Sequence, residues 1–214
     1  MSSLRITEIF LSLQGESNTV GLPTVFVRLT GCPLRCQYCD SAYAFSGGTQ
    51  MSEDEILAEV AQHGVQRVTV TGGEPLAQPG VHDLMTKLCD LGYYVSLETS
   101  GALPVDEVDD RVVKVVDFKT PDSGEVARNH WDNVGQLNAH DQVKFVLCSR
   151  ADYDWAKFKL SEHDLSSRVA DVLFSPSFDE LSVTDLGDWI VADRLPVRMQ
   201  VQLHKILWGD EPGR

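Results

Sequence analysis

Three cysteines fall within eight residues of this 214-residue chain, in the stretch TGCPLRCQYCD at 30–40. Cys32, Cys36 and Cys39 are separated by three and two residues, while Cys89 and Cys148 stand far away. Clustered thiolates select iron–sulfur clusters or zinc, and ligands on one short loop reach a single centre at little loop-closure cost. A disulfide takes two thiols and a structural zinc site four ligands, so three suggest a centre with one position left open. The zinc alternative needs a fourth ligand. His63 and His82 are of the right type, but neither has zinc-finger spacing and both fall in segments patterned as helices. Cys89 lies mid-helix and Cys148 at a strand end, where a thiol usually behaves as a small buried hydrophobe.

A second motif, TGGEP at 71–75, follows a strand-like run, and its paired glycines allow backbone to approach a ligand closely. Arg28 sits between Val27 and Leu29 in TVFVRL, so a strand there places it on the face opposite its apolar neighbours.

The elements that must carry these groups alternate along the chain. Strands are expected at 24–29, 67–70, 94–101, 112–120, 142–148, 170–175 and 197–203, with helices at 52–64, 81–92, 151–165 and 180–194. Ser52 and Glu55 form a capping-box pattern at the start of the first helix, and Gly64 ends it. Such alternation predicts an α/β domain spanning residues 1–214, built as an open, partial (β/α)6 barrel with a mostly parallel sheet. A doubly wound sheet is the second choice. The polar, glycine-containing and cysteine-containing segments follow strands, which is where active sites gather in parallel α/β folds.

Composition narrows the setting. Hydrophobic residues make up 43% and charged residues 23%, a globular mix, and no run of eighteen apolar residues offers a membrane span. The first residues show no secretory pattern, and five cysteines, an odd number, argue for a reducing cytoplasm over a disulfide framework. A formal net charge of −14 without a Lys/Arg cluster points away from nucleic acid.

The Cys-x3-Cys-x2-Cys loop followed by TGGEP resembles the radical S-adenosylmethionine superfamily. Nearly the full length resembles one family within it, the 7-carboxy-7-deazaguanine synthases, through LSLQGES (11–17), VFVRLTGCPLRCQYCDS (25–41), VTGGEP (70–75), LETSG (97–101), KTPDSGE (119–125), VKFVL (143–147) and QLHKILWG (202–209). The resemblance implies a 4Fe-4S cluster on Cys32, Cys36 and Cys39, its free iron chelating S-adenosylmethionine, whose cleavage yields a 5′-deoxyadenosyl radical. It implies a carbon–nitrogen lyase that contracts 6-carboxy-5,6,7,8-tetrahydropterin to 7-carboxy-7-deazaguanine, releasing ammonia, in 7-deazapurine and queuosine biosynthesis. Magnesium, a reducing donor such as flavodoxin or ferredoxin, and a homodimer come with the family.

By family position, Leu13, Gln14, Gly15 and Glu16 meet the pterin edge, Arg28 its carboxylate, and Thr71 and Pro212 complete the substrate site. Tyr38, Cys39, Asp40, Gly73, Glu74, Glu98, Ser100, Asp117, Lys119, Ser175 and Phe178 are implied contacts of S-adenosylmethionine. Ser41 occupies the position of the family's magnesium-binding threonine; it keeps the hydroxyl but loses the methyl that restrains the rotamer. Two further departures are Asp117-Phe118-Lys119, where the family often has Ser-Pro-Lys, and Ser175-Pro176, where it has Gln-Pro. The tail from 204 is expected to fold toward the pocket, with His204 either a pocket residue or a satisfied core histidine, the latter slightly preferred. An activase that installs a glycyl radical on a partner protein is the radical-chemistry alternative, but it gives no reason for LQGE or Arg28.

Overall fold

The computed structural model describes residues 3–209, 211 and 213. Nine strands form a single open sheet: β1 (Ser3–Leu13), β2 (Pro23–Leu29), β3 (Thr49–Ser52), β4 (Arg67–Gly72), β5 (Tyr94–Thr99), β6 (Val113–Asp117), β7 (Gln142–Leu147), β8 (Asp171–Pro176) and β9 (Arg198–Met199), in the order β3-β1-β2-β4-β5-β6-β7-β8-β9. From β2 to β9 every neighbouring pair is parallel. The first hairpin adds β1 antiparallel to β2, and β3 antiparallel to β1. The expected open, mostly parallel sheet is therefore present.

Helices cover one face. α1 (Glu53–Gln62) starts at the capping box read from the sequence: Glu55 N donates to Ser52 Oγ at 3.3 Å and Ser52 N to Glu55 Oε2 at 2.7 Å. Gly64, at φ +67°, takes the chain out of the helix. Ile56 and Val60 of α1, with Leu84, Met85 and Leu88 of α2 (Val81–Asp90), pack on Val25, Val27, Val68, Val70, Val95 and Leu97 from alternate positions of β2, β4 and β5. α3 (Arg150–Glu162), α4 (Leu165–Arg168) and α5 (Val183–Asp193) bury Tyr153, Ala156, Leu165 and Leu186 against Val143, Phe145, Leu147 and Phe174.

Several elements differ from the sequence expectation. β1 and β3 were not anticipated. The connection from β5 to β6 contains no helix and that from β6 to β7 only short 3-10 turns such as Trp131–Gln136, so the regular βα repeat is interrupted. The strand expected at 197–203 shrinks to β9, and Leu203–Trp208 forms a short helix, α6. The cause lies at Gln200, whose side chain accepts from Ser17 N at 2.7 Å and donates to Ser17 O at 3.0 Å. Gln200 N keeps a last bond to Phe174 O on β8 at 3.0 Å, and beyond it Leu203 N turns to Gly15 O at 3.0 Å instead of to a strand.

The other sheet face is concave, and the 14–22 loop lies across it. Gln14 Nε2 donates to Thr69 Oγ1 on β4 at 3.0 Å, and Asn18 N donates to Gln142 Oε1 on β7 at 2.8 Å. With the Gln200 pairing, this loop bridges the mouth from β4 to beyond β9, where a closed barrel would have further strands.

Candidate functional site

A cavity of about 620 Å³ opens at the carboxyl ends of the parallel strands, on the concave face. The cysteine loop forms one rim, with Cys32, Cys36, Tyr38, Cys39, Asp40 and Ser41 all lining it. All three thiols are free and half-buried. Arg35 holds the loop's shape: its Nη1 donates to Cys32 O at 2.8 Å and Leu34 O at 2.6 Å, while its guanidinium stacks 4.2 Å from the Phe45 ring centroid. Burial pushes the thiols up, Cys36 to about 11, so a metal centre binding here must displace their protons.

TGGEP packs against that loop. A Cβ on Gly73 would fall 2.3 Å from Gly31 O, so glycine is required for the two segments to touch. Thr71 and Gly73 line the cavity. Glu74 does not. Its buried carboxylate accepts from Leu76 N (3.0 Å), Thr99 Oγ1 (2.9 Å), Ser100 N (2.7 Å) and Ser100 Oγ (2.5 Å). Its side chain is saturated as a strut that places Ser100 on the cavity wall, so of the pair Gly73 and Glu74 only Gly73 lines the cavity.

Arg28 lies on the concave face, as its alternation predicted, together with Phe26. Arg28 Nε donates to Glu8 Oε1 at 2.7 Å, and the Tyr43 hydroxyl donates to the same oxygen at 2.7 Å. The guanidinium stands 5.7 Å from the Tyr43 ring centroid and 6.0 Å from that of Phe10. Its two terminal nitrogens make no hydrogen bond among the described residues. A clamped fork with both prongs free suits a carboxylate.

Across the cavity floor, charges are buried together. Lys144 Nζ lies 2.7 Å from Glu16 Oε2, 3.6 Å from Glu98 Oε2 and 3.9 Å from Asp117 Oδ2, and Lys119 Nζ lies 2.8 Å from Asp117 Oδ2. Burial, reinforced by Glu16 and Asp117, pushes Glu98 up to about 7 despite Lys144. Glu16 is equally buried, yet its direct bond to Lys144 outweighs that and holds it below the usual carboxylate range. Burial disfavours the charge on Lys144, but the three carboxylates raise it well above an ordinary lysine. Glu98 Oε1, Asp117 Oδ1, Tyr38 OH and Ser175 Oγ are buried without a partner, and all four residues line the cavity. Orphaned polar atoms facing one space are the mark of a missing ligand.

The tail closes the far side. Leu203 N donates to Gly15 O at 3.0 Å, and the His204 ring lies where a Gly15 side chain would be, 2.1 Å from an added Cβ. Gln202 Nε2 donates to Asp40 Oδ2 at 3.2 Å, and Lys205 stands 4.7 Å from the Phe178 ring centroid. His204 thus lines the cavity, the less favoured of its two expected places. Leu13, Gln14, Gly15 and Phe178 also line it; Pro212 lies outside the described residues. Sequence reasoning missed Lys144, Tyr43, Phe10 and Glu8. For Lys144 a signal existed: a lone cation at an alternate position of a buried strand.

The donor set fits an iron–sulfur cubane with one free corner. Three thiols from one loop face one space, with no fourth cysteine among the lining residues. Among the described residues, no three Cys, His, Asp or Glu side chains gather closely enough for a single ion. A tetrahedral zinc site asks for that convergence, whereas a cubane takes its thiolates at separate corners. A second hollow, of about 420 Å³ between Val169 and Arg198, holds none of these groups. Among the described residues no helix is long and apolar enough to cross a membrane.

Comparison with known proteins agrees. Residues 26–118 match the model of the radical SAM superfamily. The chain is 45% identical to 7-carboxy-7-deazaguanine synthase of Koribacter versatilis, over 97% of this chain and 98% of that protein. It is 46% identical to the protein of the same name from Chlorobaculum tepidum, over 97% and 96%. In three dimensions it resembles QueE from Escherichia coli, with a TM-score of 0.72 and 22% identity over 94% of this chain and 95% of the other.

Proposed function

This chain belongs to the 7-carboxy-7-deazaguanine synthase family, and from that premise we propose how its cavity works. The reaction is the radical-mediated contraction of 6-carboxy-5,6,7,8-tetrahydropterin to 7-carboxy-7-deazaguanine with release of ammonia, a carbon–nitrogen lyase step in queuosine biosynthesis. Bound to Cys32, Cys36 and Cys39, a 4Fe-4S cluster with S-adenosylmethionine supplies the hydrogen-abstracting radical chemistry. The protein's own residues position and shield.

Arg28, fixed by Glu8 and Tyr43, takes the substrate carboxylate through its free terminal nitrogens. Glu98 and Glu16 offer acceptors to pterin N–H groups, and Thr71 adds a hydroxyl. Asp117, Lys119, Ser100, Ser175, Tyr38 and Phe178, with the backbone of Gly73, form the wall on the S-adenosylmethionine side. Ser41 and its neighbour Asp40 supply oxygen donors for magnesium. Their 2.8 Å hydrogen bond shows the serine hydroxyl already turned toward the carboxylate. The tail helix α6 and the 14–22 loop exclude water from the mouth. A soluble reducing donor in the cytoplasm and a homodimeric assembly complete this reading.

One observation carries it: three free thiols share a cavity with a clamped arginine and four unpartnered polar atoms. The test is anaerobic turnover of the reduced, cluster-loaded protein with S-adenosylmethionine and the carboxy-tetrahydropterin. Formation of a deazapurine is expected. No product, with about four irons and four sulfides per chain in place, would overturn the assignment.

A further inference from the structure

Lys144 is the cation at the centre of the cavity floor, and none of the site's implied contacts includes it. β7 sets it on the concave face while its neighbours Val143 and Phe145 enter the helix-side core. Its side chain is only 10% exposed and meets carboxylates from three separate segments: Glu16 of the turn after β1, Glu98 of β5 and Asp117 of β6. Among the described residues it is the sole cation within ion-pair distance of Glu98 and of Glu16. Its pull on Glu98 Oε2 leaves Oε1 unpartnered in the cavity.

We propose that Lys144 is a positioning residue for the reaction assigned above, on which this inference rests: its ammonium pins the 13–16 turn to the sheet and aims Glu98 at the substrate. The turn is otherwise joined to the sheet by neutral hydrogen bonds, from Gln14 to Thr69 and from Asn18 to Gln142. A charge-assisted bond at 2.7 Å from the buried floor is the strongest tie it has. Without it, Glu16 and Glu98 repel across the space the substrate must enter. The groups facing Glu98 are Lys144, Glu16 and Asp117; His204 and Asp40 act in turn on Glu16, and Lys119 on Asp117.

The test uses Lys144→Met, Lys144→Arg and Glu16→Gln in the full, cluster-loaded chain. Three readouts are followed: iron and sulfide content, amide hydrogen exchange across 14–22, and the pH profile of kcat/KM. Lys144→Met is expected to keep its cluster, lose about a hundredfold in kcat/KM, and exchange faster across 14–22. Its acid limb moves to higher pH, because loss of a cation makes Glu98 harder to ionise. Lys144→Arg restores much of the protection. Glu16→Gln moves the acid limb the opposite way, to lower pH, by removing a neighbouring negative charge. An acid limb and an exchange pattern both unchanged in Lys144→Met would overturn the proposal. If that variant does not fold, Glu16→Gln decides, an unmoved limb counting against. Exchange is read without turnover, so failure of the wild-type chain to make a deazapurine removes the assigned reaction and leaves the pinning to be judged separately.

Discussion

The two faces of one sheet differ more than its two ends do. Along β7, Val143, Phe145 and Leu147 are fully buried beneath helices, while Lys144 and Val146 line the cavity and Gln142 is buried under the 14–22 loop, accepting from Asn18 N. β5 repeats the contrast, with Val95 and Leu97 on one side and Ser96 and Glu98 on the other. Parallel strands covered on both faces read as continuous apolar runs. Here Ser96, Glu98, Gln142 and Lys144 put polar or charged groups on the second face, yet largely shielded from solvent, because the concave face is walled by a loop and a tail around a ligand space. The helix face is satisfied on its own. The cavity face is unfinished, and its four orphaned polar atoms say where.

That contrast is broken most completely by Cys36→Ala. Removing one of three anchors is expected to abolish cluster and turnover together, read by iron and sulfide analysis and by the deazapurine assay. The fold should survive, because the half-buried thiol contributes little to packing. A variant that kept four irons and its activity would show that the loop does not hold the centre.

The next largest effect comes from the opposite face. Phe145, one residue from Lys144, is fully buried and packs edge-on against Trp155 and Phe174, with ring centroids at 6.1 Å and 5.8 Å. Phe145→Ala should cost about 3–5 kcal/mol of stability, measured by denaturant unfolding. KM for the pterin should stay near the wild-type value at a temperature where the variant is folded. A large change in KM without loss of stability would mean that the two faces are not independent.

Arg28→Ala probes the cavity face alone. Loss of a clamped, charge-assisted contact is worth roughly 2–3 kcal/mol, about a hundredfold in kcat/KM, and should appear mainly as weaker substrate binding. The cluster's visible absorbance should be unchanged. Normal turnover would reduce Arg28 to the structural ion pair it makes with Glu8.

How much of this was legible in the sequence follows from which interactions are local. The cysteine loop, the capping box at Ser52 and the face of Arg28 depend on spacing within a few residues, and all three were readable. Glu74 was placed in the site by resemblance, but its bonds to Thr99 and Ser100 join segments some 25 residues apart. The strand expected at 197–203 was lost to a side chain–backbone pairing between Gln200 and Ser17, 183 residues away. β1 went unread although its pairing with β2 carries Glu8 to Arg28. Lys144 was legible in kind but not in consequence: alternation places it inward, while its three carboxylate partners come from distant strands and a turn.

The smallest expected effect is a pH-dependent gain in stability. Three carboxylates, Glu16, Glu98 and Asp117, face two ammoniums, Lys144 and Lys119, so full ionisation leaves one negative charge uncompensated. Burial pushes Glu98 up while Lys144 holds Glu16 down, so Glu98 is the carboxyl whose ionisation folding opposes. Its pKa rises from 4.5 to about 7 on folding, first because it is buried. The folded state therefore binds the proton more tightly than the unfolded chain. Below about 4.5 there is no penalty, between 4.5 and 7 it grows, and above 7 it is fully present. Glu98→Gln removes the ionising group, so the cluster-free variant should melt a few degrees higher than wild type at pH 8. The gain should vanish as pH falls toward 4.5, and the variant should lose activity throughout, as expected where a site is held at the expense of stability. A melting difference that did not change with pH would show that folding does not oppose the ionisation of Glu98. The polar face would then be balanced in some other way.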